Sequence, residues 1–210
     1  MRKIFFTFFL MLLTTASVFA QAQVGLRVGA SWATISDDVD MPSGVERPWR
    51  PGFTIGLASS FSTGGIFAIA PEINFSQRGN RTENLLSANG ETFDSENRYN
   101  YLEVPVLFRL SFGETLGGYI NAGPTFSYWL GGKMDTEDIN FSEIDEEKRW
   151  EIGGAIGGGV KLNTGIGSFL IDLRYTRGFT DTFFRDLSGD QEFKHQLIST
   201  SLIFLIPSVQ

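Results

Sequence analysis

The stretch "YLEVPVLFRL", residues 101 to 110, decides the fold. It is an apolar run interrupted by one carboxylate, Glu103, and one guanidinium, Arg109. Side chains alternate across an extended strand, so residues two apart share a face. Leu102, Val104, Val106, Phe108 and Leu110 then form one wholly apolar row, and Tyr101, Glu103, Pro105, Leu107 and Arg109 form the other. Both charges fall on the same side. A shift of one residue would turn them onto the apolar side, so the pattern asks for a strand with one face in hydrocarbon and one in a polar interior.

The same split recurs along the chain. Eight strands are expected, at approximately 24–33, 51–61, 65–78, 98–111, 117–130, 149–162, 167–178 and 194–206. No sustained 3.6-residue period intervenes. The connections alternate in length. "STG", "FGETL" and "NTGI" are short, whereas "TISDDVDMPSGVERPWR", Gly79–Asn97, "GGKMDTEDINFSEIDEEK" and Phe179–Phe193 are long. In an antiparallel meander alternate connections lie at the same end, so the long loops gather on one side and the turns on the other. Strands of about 9 to 11 residues suffice to cross a bilayer when tilted. The expected architecture is therefore all-β: an eight-stranded antiparallel up-and-down transmembrane β-barrel with short periplasmic turns and four long external loops.

The apolar rows, for example Val24, Leu26, Val28, Ala30 and Trp32, or Phe53, Ile55, Leu57 and Phe61, carry no charge. An arginine facing hydrocarbon at mid-depth would cost about 2 to 4 kcal/mol. The opposite rows hold Arg27, Glu72, Glu103, Arg109, Glu151, Lys161, Asp172 and Arg174. Eight strands enclose a lumen just wide enough to be filled by side chains. These residues are accordingly expected to form a lumenal ion-pair network that plugs the barrel, because an unpaired buried charge is expensive. Asn74 and Arg78 share the interior row of the third strand. Aromatic girdles are expected at the two interfaces. Trp32, Phe53, Tyr99, Tyr128, Trp129 and Trp150 mark the long-loop end, and Phe61, Phe67, Tyr119 and Phe169 the turn end.

At 210 residues the chain is sized for one domain. Residues 1–20, "MRKIFFTFFLMLLTTASVFA", read as a cleaved signal peptide: Arg2 and Lys3, an apolar run from Ile4 to Leu13, then small residues up to Ala20. That run is too short to span a membrane as a helix. Residues 21–210 are expected to form the barrel, exported to the cell outer membrane. There is no cysteine, which excludes a disulfide-stapled secreted domain. With Arg2 and Lys3 removed from the 17 basic residues, 15 face 24 acidic ones, which argues against a nucleic-acid partner.

No motif points to catalysis, a cofactor or a resident metal. "GGAIGGG", Gly153–Gly159, is followed by "VKLNTG" rather than a helix, so it reads as packing room on the lumenal row and not as a phosphate loop. The acidic loop holding Asp135, Glu137, Asp138, Glu143, Asp145, Glu146 and Glu147 lacks the spacing of a calcium-binding hand, although its carboxylates suit divalent cations that bridge lipopolysaccharide phosphates. His195 is the single histidine, and nucleophilic catalysis needs a nucleophile and an orienting group beside it.

"VGLRVGASWATI", "YLEVPVLFRL", "INAGPTFSYWL" and "LRYTRGFTD" resemble the PorT-like, porin-family outer-membrane β-barrel proteins of Bacteroidetes. The resemblance covers nearly all of the chain after the leader. It implies an eight-stranded outer-membrane barrel without catalytic residues, one branch of the family being linked to a secretion and gliding apparatus. The ending "SLIFLIPSVQ" departs from the usual terminal aromatic, with Phe204 the nearest equivalent. The function expected from these readings is non-enzymatic: a structural or partner-binding surface protein acting through its external loops. Its partners would be outer-membrane lipid, lipopolysaccharide and envelope or secretion-apparatus proteins. The alternatives are a lipid-modifying hydrolase using His195, a narrow solute channel, and a soluble exported barrel with its apolar face inward.

Overall fold

A computed structural model describes residues 21–36, 44–62, 65–86, 89–134, 137–138, 149–180 and 194–207. Residues 1–20, most of the acidic loop and the last three residues lie outside them. The strands are β1 (Gln21–Ser36), β2 (Arg50–Ser62), β3 (Phe67–Leu86), β4 (Thr92–Phe112), β5 (Leu116–Met134), β6 (Glu137–Asp138), β7 (Trp150–Thr164), β8 (Gly167–Gly178) and β9 (Lys194–Pro207). Among the described residues the two-residue β6 pairs only with the end of β5. The other eight make an antiparallel ring in which β1 pairs with β9 and so closes the first strand on the last. Closure satisfies every strand edge along the wall, the condition for strands to lie in hydrocarbon.

The alternation in "YLEVPVLFRL" is realised in β4. Leu102 and Phe108 are 40% and 49% exposed on the outside, whereas Tyr101, Glu103, Pro105, Leu107 and Arg109 are buried within. Around the ring, Leu26, Ile55, Leu57, Ile73, Ile120, Ile156, Val160, Ile171, Leu173 and Leu202 are each more than half exposed. A continuous apolar belt of this extent suits hydrocarbon, not water.

At the long-loop rim Trp32, Phe53 and Trp150 face outward, and the Tyr128 ring lies 4.9 Å from Trp150. At the turn rim Phe67 and Phe169 are exposed, Phe61 is half-buried, and Phe169 packs against Phe204 at 4.5 Å. Three expected girdle members are elsewhere. Tyr99, Tyr119 and Trp129 are buried inside the barrel. The reason is parity: Tyr119 and Trp129 share the β5 row of Asn121, Thr125 and Ser127, and Tyr99 shares the β4 row of Glu103. Position near a strand end does not override which way a side chain points.

The interior is not polar throughout. Ala58, Tyr119, Leu170, Ile203 and Leu205 form one apolar cluster, and Ala70, Leu107 and Ala155 another. Apolar layers therefore share the lumen with the charges.

β3 and β4 also run further than the sequence suggests. They stay paired from Phe67↔Leu110 to Leu86↔Thr92, through what reads as loop from Gly79 to Asn97. A register shift interrupts the pair between Thr82 and Leu85, where Asn84 adopts φ 59°, a left-handed conformation that asparagine tolerates.

Candidate functional site

The lumenal rows assemble two charge layers. The layer nearer the turns centres on Glu72 of β3. Arg174, from β8 on the opposite wall, donates to it through both terminal nitrogens, Nη1 to Oε2 at 2.8 Å and Nη2 to Oε1 at 2.9 Å. Such a planar, two-bond pair is the strongest form of a charged hydrogen bond. Arg27 Nη1 adds a longer contact to Glu72 at 3.3 Å, and its Nη2 lies 3.1 Å from Asp172 Oδ1. Arg174 Nη2 also reaches Asp172 Oδ1, at 3.2 Å. Neutral donors complete the acceptors: Asn74 Nδ2 to Glu72 at 3.0 Å, and Tyr119 O–H and Asn121 Nδ2 to Asp172 Oδ2 at 2.9 and 3.2 Å.

The second layer lies nearer the long loops and centres on Arg78. Its guanidinium pairs with Glu103, donates to Glu151 Oε1 at 2.5 Å and to Ser127 Oγ at 3.0 Å, and sits over the Tyr101 ring at 4.8 Å. Glu151 Oε2 is 2.6 Å from His195 Nδ1, and that imidazole packs against Tyr99 and Tyr101. The layer thus ties β3, β4, β5, β7 and β9 together.

Six of the eight residues singled out from sequence therefore meet in these layers: Arg27, Glu72, Asp172 and Arg174 in one, Glu103 and Glu151 in the other. Arg109 and Lys161 do not join them. Among the described residues neither makes an ion pair with a carboxylate. Arg109 is buried in the lumen with its guanidinium over the Tyr119 ring at 4.8 Å. Lys161 stands at the turn-end mouth, in a cavity with Gln23, Ser60 and Asn163. The cause is depth: the nearer carboxylates, Glu72 and Asp172, are already claimed by Arg27 and Arg174. Conversely, Arg78 and His195 belong to the second layer although the network was expected without them. Arg78 could have been found from its shared parity with Glu72 and Asn74, whereas nothing in the sequence marks His195 as a partner of Glu151.

Glycine on the lumenal row makes the close approach possible. A Cβ on Gly159 would come within 1.8 Å of the Ile171 carbonyl oxygen and 2.9 Å of the Tyr119 hydroxyl. Gly159→Ala is expected to displace Tyr119 from Asp172 and to cost about 1 to 3 kcal/mol, the usual penalty for overpacking, measurable by urea unfolding in lipid vesicles.

The chain matches the family described as outer membrane protein beta-barrel domain over residues 19–183. No curated protein matches it. Among solved structures, OprG from Pseudomonas aeruginosa is 12% identical, with 90% of this chain and 95% of that chain covered and a TM-score of 0.52. Neisserial surface protein A is 11% identical, with 87% and 97% covered and a TM-score of 0.48. Ail of Yersinia pestis is 13% identical, with 89% and 99% covered and a TM-score of 0.46. At such identity the likeness to OprG concerns the fold alone. With a closed eight-stranded ring, an apolar outer belt and a family match across the greater part of its length, the chain belongs to the outer membrane protein β-barrel domain family and resides in the outer membrane.

Proposed function

We propose that this protein is a non-enzymatic barrel of the PorT-like kind, exported by a cleaved leader over residues 1–20 and folded over 21–210. Its lumen is plugged by paired charges, and its external loops present a surface to lipopolysaccharide and to envelope or secretion-apparatus partners. The observation that carries this reading is a raised ribbon standing on a bridged barrel. Beyond Asn80↔Asn97, β3 continues for six more residues and β4 for five, roughly 20 Å at the usual strand rise. Arg81 pairs there with Glu83 at 3.0 Å and Asp94 at 3.3 Å, and Leu86 and Phe93 are exposed near the tip. Below the ribbon, Arg174 and Glu72 link opposite walls, which leaves the barrel as a rigid support rather than a pore. His195, buried and held by Glu151 between aromatic rings, has the surroundings of a structural imidazole. The acidic loop's suitability for divalent cations lies outside the described residues.

The absence of cysteine makes topology directly testable. On intact cells, Phe93→Cys is expected to react with a membrane-impermeant maleimide, and Ile166→Cys, exposed in the β7–β8 turn, to react only after the outer membrane is opened. The reverse pattern would invert the surface assigned to the ribbon. In planar bilayers the unmodified protein is expected to give no steady conductance. A large steady current would show a channel instead.

A further inference from the structure

At the turn end, the lumen opens into a cavity of about 240 Å³. Gln23, Ser60, Ser111, Lys161, Asn163 and Ser168 line it, from β1, β2, β4, β7 and β8, and among the described residues no carboxylate does. Its polar wall is partly tied down: Gln23 Nε2 donates to Ser168 Oγ at 3.2 Å, and Ser168 donates to Asn163 Oδ1 at 2.7 Å. One row inward from Ser111 on the same face of β4 lies Arg109, buried, its Nε without a hydrogen-bond partner. Arg109 is the cross-strand partner of Ala68, which lines the cavity together with Lys161. Glu72 and Asp172 do not neutralise these two cations, because both are engaged by Arg27 and Arg174. Among the described residues in this half of the lumen, four cations, Arg27, Arg109, Lys161 and Arg174, face two carboxylates, Glu72 and Asp172, an excess of two positive charges. In the other layer Arg78 faces two carboxylates, Glu103 and Glu151, with His195 beside Glu151, so the excess of cations is a local feature of this mouth. An anion seated between Lys161 and the layer below would supply the missing negative charge, for the same reason that buried charges are otherwise paired.

We infer that the turn-end cavity is a binding site for a small phosphate-type oxyanion, held by Lys161 at its wall and attracted by Arg109 beneath its floor. The cavity is smaller than the roughly 300 to 1,000 Å³ of pockets for drug-sized ligands, which suits a phosphate group and excludes an extended chain. Turns of outer-membrane barrels face the periplasm. The phosphate can therefore come from a soluble anion or from the headgroup of a phospholipid in the inner leaflet.

Equilibrium dialysis of the refolded chain against radiolabelled inorganic phosphate, in maltoside micelles at low ionic strength, tests the site. Saturable one-site binding is expected, weakened at least tenfold in Lys161→Met and largely restored in Lys161→Arg. Gel mobility before and after boiling checks that each variant is folded. Arg109→Met is expected to weaken binding as well; if it does not fold, the Lys161 pair decides. Absence of saturable binding, or equal binding by Lys161→Met, would overturn the site. In nanodiscs, loss of phosphate binding on adding phosphatidic acid, dependent on Lys161, assigns the site to a lipid headgroup. Unchanged binding there assigns it to a soluble anion, and either result supports the cavity.

Discussion

Replacing Glu72 with alanine is expected to destabilise the folded barrel by about 3 to 5 kcal/mol, the cost of removing one partner from a buried ion pair. Glu72 is 2% exposed and accepts from Arg174, Arg27 and Asn74. Without it, the guanidiniums of Arg27 on β1 and Arg174 on β8 converge on Asp172 alone, already beside an unpaired Arg109 and a nearby Lys161. The loss is therefore more than one contact: a lumen with two excess positive charges at its turn half would hold three. Urea unfolding in lipid vesicles measures the change as a lower midpoint with an unchanged slope. Arg109→Met supplies the contrast. It removes a buried cation that leaves no carboxylate without its partner, and the flexible methionine chain can occupy the space over Tyr119. Its expected effect on stability is within about 1 kcal/mol, in keeping with apolar replacement of buried charge being nearly neutral. Equal losses in the two variants would mean that the pairing around Glu72 is not what holds the opposite walls together.

That contrast also marks what could be read from the sequence. Parity alone separated wall from lumen, because hydrocarbon outside and packed side chains inside impose a strict two-residue period on every membrane-depth strand. Above the membrane both faces meet water and the period disappears. "NRTENLL" and "TFDSENRYN" are mostly polar and carry polar residues on both rows, so the β3–β4 ribbon reads as loop although its backbone stays paired. Pairing across the lumen was less legible. A strand pattern gives direction and approximate depth, but partners such as Arg174 and Glu72, 102 residues apart, depend on which strands stand opposite once the ring closes. Hence Arg109 and Lys161, which have the right parity and sign, find the nearer carboxylates, Glu72 and Asp172, already engaged by Arg27 and Arg174. Tyr119 and Trp129 fail in the opposite sense: their depth suits a girdle while their parity sends them inward, and parity prevails because it follows from the backbone itself.

Arginine placed along the outer row of β2 should report depth in the bilayer as a graded loss of stability. Phe53, Ile55, Leu57 and Phe61 share that row, with Ile55 and Leu57 in its middle and Phe53 and Phe61 toward the two rims. Ile55→Arg and Leu57→Arg are each expected to cost about 2 to 4 kcal/mol, whereas Phe53→Arg and Phe61→Arg should cost less, because the charge reaches the interface. Ala58→Arg has a different origin of failure. It would force a long side chain into the apolar cluster with Leu170, Ile203 and Leu205, and its penalty should appear in detergent as strongly as in bilayers. The Ile55 and Leu57 variants, by contrast, owe their penalty to the surrounding hydrocarbon, so it should shrink when a thinner bilayer brings the interface closer to mid-strand. A flat response along β2, or one insensitive to bilayer thickness, would mean that the row is buried against protein rather than lipid. The graded response follows from the same parity rule that turns Glu103 and Arg109 inward on β4, applied to the opposite face.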